Sequence, residues 1–251
     1  MTDFSYQLYS SRNFPPLSQT LKMLGGLGYA QVEGYGGLFN SLDDIATLKA
    51  DLAANNLTMP TGHFGIEMVE SDPTRVIQIA RDLGINTLFV PAVGPDERVK
   101  DAAGWAAFGK RLAEAGKPLQ DAGLKFGWHN HAFELVDLGI AEKPLDLILQ
   151  GSEELALELD LAWVAVAGED PLAWIAKYSD RLVAAHIKDL APKGEAEDED
   201  GWADVGHGVM DWPALVAALE QTPVQYWVME HDNPSDHERF ARRSLATAQN
   251  F

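Results

Sequence analysis

Strand-sized apolar runs and helix-period stretches take turns along this chain. Residues 4–9, 30–33, 57–62, 87–90, 125–128, 155–159, 182–186 and 224–229 read as short strands, most of them closed by Gly, Pro, acid or histidine residues. Helical spacing fills the gaps. Pro15 and Pro16 open a helix to about Gly25, and Ser41 caps one to about Asn55 with Asp43 and Asp44 in its first turn. Ser71-Asp72-Pro73 starts the next, which stops near Gly84. Residues 101–122 keep helical apolar spacing despite Pro118, and 144–150, 170–178, 211–220 and 233–249 complete the series.

Eight strands alternating with eight helical segments predict a parallel sheet. That number of units in 251 residues favours a closed (β/α)8 TIM barrel over an open sheet. No linker divides the chain, so residues 1–251 read as one domain. The acidic stretch at 192–201 follows the seventh strand and reads as a solvated, mobile loop, with a lid over the site as the alternative.

Composition narrows the partners. A net charge of −19 argues against a nucleic-acid surface, which needs a basic footprint. The absence of Cys removes disulfides, thiolate metal sites and cysteine nucleophiles. No apolar run reaches membrane-spanning length, and the first residues carry no basic region with an apolar core, so a cytoplasmic location is the expectation. Neither the acidic surface nor the 7 Trp residues decides between a monomer and a homo-oligomer.

The chemistry gathers where strands end, which in a TIM barrel is the active-site face. Glu134, Asp160, His186 and Glu230 follow four such strands. Three carboxylates and one imidazole suit a divalent cation: Mn²⁺ first, then Mg²⁺ or Co²⁺, with Zn²⁺ less favoured without thiolates or several histidines. Such a cation can grip neighbouring carbonyl and hydroxyl oxygens of a sugar and acidify the C–H between them, while a nearby carboxylate moves the proton. Taken singly, each residue also has an ordinary role: a loop ion pair, a turn cap, a core histidine. Their joint occurrence at strand exits carries the reading.

His129 and His131 flank Asn130 at a spacing that points both the same way in extended chain. They are candidates for substrate hydroxyls, proton transfer or a metal-ligand position. Lys188 is a candidate for a substrate oxygen, and Trp163 and Tyr9 for apolar walls. His63 and Glu33 end earlier strands and are weaker candidates. Gly206-His207-Gly208 reads as a tight turn bringing His207 near the mouth. No GxGxxG after a strand, GxxxxGK[ST] or GxSxG motif is present.

Several segments resemble motifs of the sugar phosphate isomerase/epimerase family, the xylose isomerase-like barrels. They are Tyr6-Gln-Leu-Tyr9-Ser-Ser-Arg12, Leu27-Gly-Tyr-Ala-Gln-Val-Glu33, His129-Asn-His-Ala-Phe-Glu134, Leu159-Asp-Leu-Ala-Trp163, Ala167-Gly-Glu-Asp-Pro171, His186-Ile-Lys-Asp189, Gly206-His-Gly-Val-Met-Asp211 and Val228-Met-Glu-His-Asp232. The resemblance implies a TIM barrel with a divalent metal held by Glu134, Asp160, His186 and Glu230. It also implies Glu134 and Glu230 as the acid/base pair. Many members carry Glu-Asn-His where this chain has His129-Asn130-His131, which leaves His129 as the alternative ligand from the fifth strand. Many also carry Gly-Glu-Gly where His207 stands between its glycines.

The expected activity is isomerisation or epimerisation of a keto sugar or related polyol, by proton transfer next to a carbonyl through an enediolate. A lyase or dehydratase acting on a keto sugar shares that intermediate and is the alternative. A non-catalytic sugar-binding barrel is the third reading. An abasic-site endonuclease on the same fold is disfavoured by the charge.

Overall fold

The computed structural model describes residues 3–41, 45–98 and 100–251. Ten strands occur among them: β1 (Phe4–Gln7), β2 (Gln31–Gly34), β3 (Thr58–His63), β4 (Thr87–Val90), β5 (Lys125–His129), β6 (Ala156–Asp160), β7 (Leu182–Ile187), β8 (Asp189–Leu190), β9 (Trp202–Ala203) and β10 (Tyr226–Met229). Eight of them close a barrel in the order β1-β10-β7-β6-β5-β4-β3-β2, every pair parallel. Helices connect successive barrel strands, as the expected (β/α)8 fold requires.

Local chemistry explains where the elements depart from expectation. The first strand stops at Gln7, not near residue 9, because the Gln7 side chain accepts from the Tyr9 amide at 3.0 Å and turns the chain into a short 3₁₀ helix. Three additional short helices, Gly36–Ser41, Ile66–Ser71 and Leu161–Val166, lie just beyond strand exits. The Asp72 carboxylate accepts from the Arg75 amide at 3.0 Å and caps Pro73–Leu83 where the sequence places its start, separating it from Ile66–Ser71. Asp43 and Asp44, expected in the first turn of the helix that Ser41 caps, lie outside the described residues.

The stretch after β7 is organised rather than an open loop. β8 pairs antiparallel with β9, and Glu199 between them is buried. Ser235 and Arg239 of the last helical segment hold the Glu199 carboxylate. The main hydrophobic core lies between the barrel strands and the helices around them, with Trp105, Trp128, Phe126 and Phe240 wholly buried in it. A separate small cluster of Phe89, Ala156 and Ala184 packs apart from that core. Strand alternation puts Ala156, Glu158 and Asp160 on one face of β6, so a carboxylate layer follows directly on this cluster.

Candidate active site

Parallel register brings the strand ends level. Glu33 pairs with Gln7 in register, His129 with Glu158, and Asp160 with His186. The result is a buried polar core in two tiers. In the inner tier, the Gln7 amide donates to Glu33 at 2.8 Å and His63 Nε2 lies 2.5 Å from Glu158. His186 Nε2 lies 2.9 Å from Glu33, and its opposite nitrogen, Nδ1, lies 2.9 Å from Glu230 in the outer tier. Asp160 is 3.7 Å from that same Nδ1.

Ligand atoms of His129, Asp160, His186 and Glu230 lie within 4.8 Å of one another, as do those of His63, His129, Glu158 and His186. Asp160, His186, Glu230 and His129 are thus brought together. Glu134 is not. It is buried, but its two oxygens accept from the Trp128 indole at 2.9 Å and from the His131 amide at 3.0 Å. Burial pushes its carboxyl up to about 8 despite those donors. The fifth-strand member of the convergent set is His129, and Glu134 serves to shape the turn that follows it. Asn130, between the two histidines, locks β5 to β6 by exchanging hydrogen bonds with the Asp160 backbone at 2.9 and 3.3 Å.

A cavity of about 470 Å³ opens above the outer tier. Tyr9, Tyr35 and Trp163 supply aromatic walls, and His63, His129, His131 and Glu230 reach it from the barrel. Arg12 lies over the Tyr9 ring and donates to the backbone oxygens of Tyr9 and Asp232. Lys188 is wholly buried beneath this wall, not a surface lysine. It stacks on Trp202 and Trp163 and pairs with Asp232 at 2.6 Å and Glu230 at 3.2 Å.

His207 is corrected: it is solvent-exposed and does not line the cavity. Its flanking glycines wrap around Asp189, whose carboxylate accepts from the amides of Leu190, Gly206, Gly208 and Met210 and from the Trp212 indole. A Cβ on Gly208 would meet Asp189 Oδ1 at 2.3 Å, so the motif is a backbone requirement.

Charges set the electrostatics of the tiers. Burial opposes the charge on Glu230, but Lys188 and His186 more than offset it and hold the carboxyl well below its usual range. Burial and the neighbouring His186 push His129 down to about 4, and burial with His129 depresses His131, so both rings are neutral. Burial works against the charged form of His186, yet Glu158 and Glu230 raise it. Glu33 moves up through burial and the neighbouring Glu158.

A divalent cation fits this donor set by two observations. Asp160 Oδ2 is buried without a hydrogen-bond partner, and His129 Nδ1 has none either, although it stands 3.0 Å from Glu158. Such orphaned groups are costly in a folded interior and ask for a partner. Glu158 was not singled out from sequence. Its signal was the spacing from Asp160, two positions along one strand and therefore on the same inward face.

The chain belongs to the xylose isomerase-like TIM barrel family, whose model matches residues 26–250. Among curated proteins it is similar to an inosose dehydratase of Lacticaseibacillus casei, 22% identical over 166 residues, covering 59% of this chain and 55% of that protein. The matched region thus spans about half the length of that relative. Among solved structures, a sugar phosphate isomerase/epimerase from Parabacteroides distasonis ATCC 8503 aligns with a TM-score of 0.82 at 18% identity, covering 98% of this chain and 93% of that one. The IOLI protein, solved with a zinc atom, aligns with a TM-score of 0.77 at 12% identity over 99% of this chain and 97% of its own. These structural likenesses establish the fold. Among the described residues no helix is long and apolar enough to cross a membrane.

Proposed function

We propose that this barrel is a divalent-metal-dependent enzyme acting on a keto sugar or related polyol by proton transfer next to a carbonyl. The observation that carries the reading is the buried convergence of His129, Asp160, His186 and Glu230 beneath an aromatic-walled cavity, with one Asp160 oxygen left unpartnered. His129, Asp160, His186 and Glu230 would hold the cation, manganese by the oxygen share and zinc by the two imidazoles. When bound, the cation supplies Lewis-acid polarisation of the carbonyl and its neighbouring hydroxyl.

The chain's own residues supply the rest. Tyr9, Tyr35 and Trp163 bind the sugar ring through its apolar face and keep water from the reacting carbon. Neutral His131, which lines the cavity beside Trp163, takes the proton next to the carbonyl. His131 can return that proton, or keep it while His63, which also lines the cavity, delivers its own. Lys188 fixes the ionised Glu230 and Asp232.

Epimerisation or isomerisation follows when the proton is returned. Dehydration follows when the same abstraction is completed by loss of water, and the similarity to inosose dehydratases favours that second reading. Metal analysis combined with a keto-sugar panel in D₂O tests the proposal. Deuterium entry without mass loss supports isomerisation or epimerisation, and loss of water supports the dehydratase. No metal and no exchange with any candidate sugar would overturn both and leave a sugar-binding barrel.

A further inference from the structure

The inner tier has ligand chemistry of its own. His63 Nε2 stands 2.5 Å, His129 Nδ1 3.0 Å and His186 Nε2 3.4 Å from the same oxygen of Glu158. The same two nitrogens of His63 and His186 lie 3.2 and 2.9 Å from one oxygen of Glu33. Three imidazole nitrogens and a carboxylate oxygen thus lie within 4.8 Å of one another inside the barrel, below the outer set.

Hydrogen bonding leaves this cluster incomplete. The His129 contact lies off the ring N–H direction, so it makes no hydrogen bond despite its 3.0 Å separation. Off-axis contacts of this length are what two ligands make when both face a third atom. Glu158 and Glu33 are wholly inaccessible, and each keeps one oxygen with no partner. Two buried carboxylates this close need a compensating positive charge.

We propose that His63, His129, His186 and Glu158 form a second, inner cation site, with Glu33 beside it, that takes zinc or cobalt in preference to manganese or magnesium. Donor type sets the preference. Three nitrogens and one oxygen match four-coordinate zinc, whereas the outer tier offers two carboxylates to two imidazoles. His186 reaches the two tiers through opposite nitrogens and can serve either, whereas His129 belongs to both groups and its Nδ1 serves one tier at a time. The inner site does not depend on the outer residues being catalytic.

The test separates the tiers by substitution. An Asp160→Asn/Glu230→Gln double variant, dialysed against Zn²⁺ and measured by elemental analysis, is expected to retain one Zn²⁺ per chain. Cobalt in its place should show the intense visible absorption of a four-coordinate site. Adding Glu158→Gln, or separately His63→Ala, should weaken retention by roughly 100-fold or more, with circular dichroism confirming the fold. A double variant that retains no zinc overturns the inner site, and so does a retained ion indifferent to both added substitutions. Either result would leave protons on the histidines as the compensating charge. The outer-site reading fails by a different result: a double variant that keeps the wild-type affinity for Mn²⁺.

Discussion

Two sets of buried acids behave as opposites. In the segment after β7, acids are consumed by the fold. Asp189 accepts from four backbone amides and an indole. Glu199 and Asp204 are gripped by Arg239, with Ser235 and Arg243 assisting. Inside the barrel, Glu33, Glu158 and Asp160 are as deeply buried yet each keeps an oxygen without a hydrogen-bond partner. Burial alone therefore does not separate the two sets; what separates them is whether the chain itself satisfies both oxygens, and under the proposed function the unsatisfied Asp160 is one that acts.

The largest expected effect tests the unsatisfied side. Asp160→Asn keeps the acceptor that caps the Trp163 amide at 2.8 Å and removes only the charge. Turnover on the best sugar substrate should fall by about 1,000-fold, near 4 kcal/mol of transition-state stabilisation. The thermal midpoint of the metal-free protein should change little, because Asp160 Oδ2 makes only long contacts, 3.7 Å to His186 and 3.8 Å to Lys188, and accepts no hydrogen bond. A large loss of stability with intact turnover would place Asp160 with the structural acids.

Asp189→Ala is the counterpart. It strips acceptors from five donors at once, the buried Trp212 indole among them. A loss of about 3–5 kcal/mol in chemical denaturation is expected. A loss under about 1 kcal/mol would show that water replaces the carboxylate freely and would blur the contrast between the regions.

Glu134 lies between the two classes: its oxygens are both used, yet burial pushes it up to about 8. A raised carboxyl means that the folded state holds a proton the unfolded state releases. Its contribution is complete below the ordinary carboxyl pKa of about 4.3 and is lost as pH rises to about 8. Glu134→Gln should remove a slope on the order of 1 kcal/mol per pH unit across that window. It should also add a pH-independent loss of about 1 kcal/mol, because an amide cannot accept from both donors. Denaturation curves for wild type and variant at pH 5, 6.5 and 8 check this. Parallel profiles would mean that Glu134 stays ionised and belongs wholly with the structural acids.

The barrel was legible in the sequence because eight apolar runs are separated by helical spacing, a pattern carried by many residues at once. The convergence of Asp160, His186 and Glu230 could be read because each stands at the end of a strand. Glu134 lies apart from them for a local reason: the chain turns between His129 and Glu134, so position along the sequence no longer reports position at the mouth. Glu158 and Lys188 depend on which face of a strand turns inward and on what covers it from a distant loop. Trp202 comes from β9, so no local pattern foretells that it covers Lys188. His207 between glycines looked like a functional loop, yet the glycines are required by Asp189.

The smallest expected effect asks how far the satisfied region serves the site. Burial disfavours the charge on Glu199, but the Ser235 hydroxyl and amide and then Arg239 offset it, so its carboxyl lies below the usual range. A lowered pKa gives stability that is present above the ordinary carboxyl value, about 4.3, and is lost as pH falls through the folded value. Arg239→Ala should therefore cost about 1 kcal/mol at pH 7 and progressively less in acid. Its neighbour Asp200 lines the cavity, so loosening Glu199 should also raise KM a few-fold with kcat nearly unchanged. A fall in kcat at constant KM would tie this loop to the chemistry itself, and the division between acids that build and acids that act would then have to be drawn through the loop.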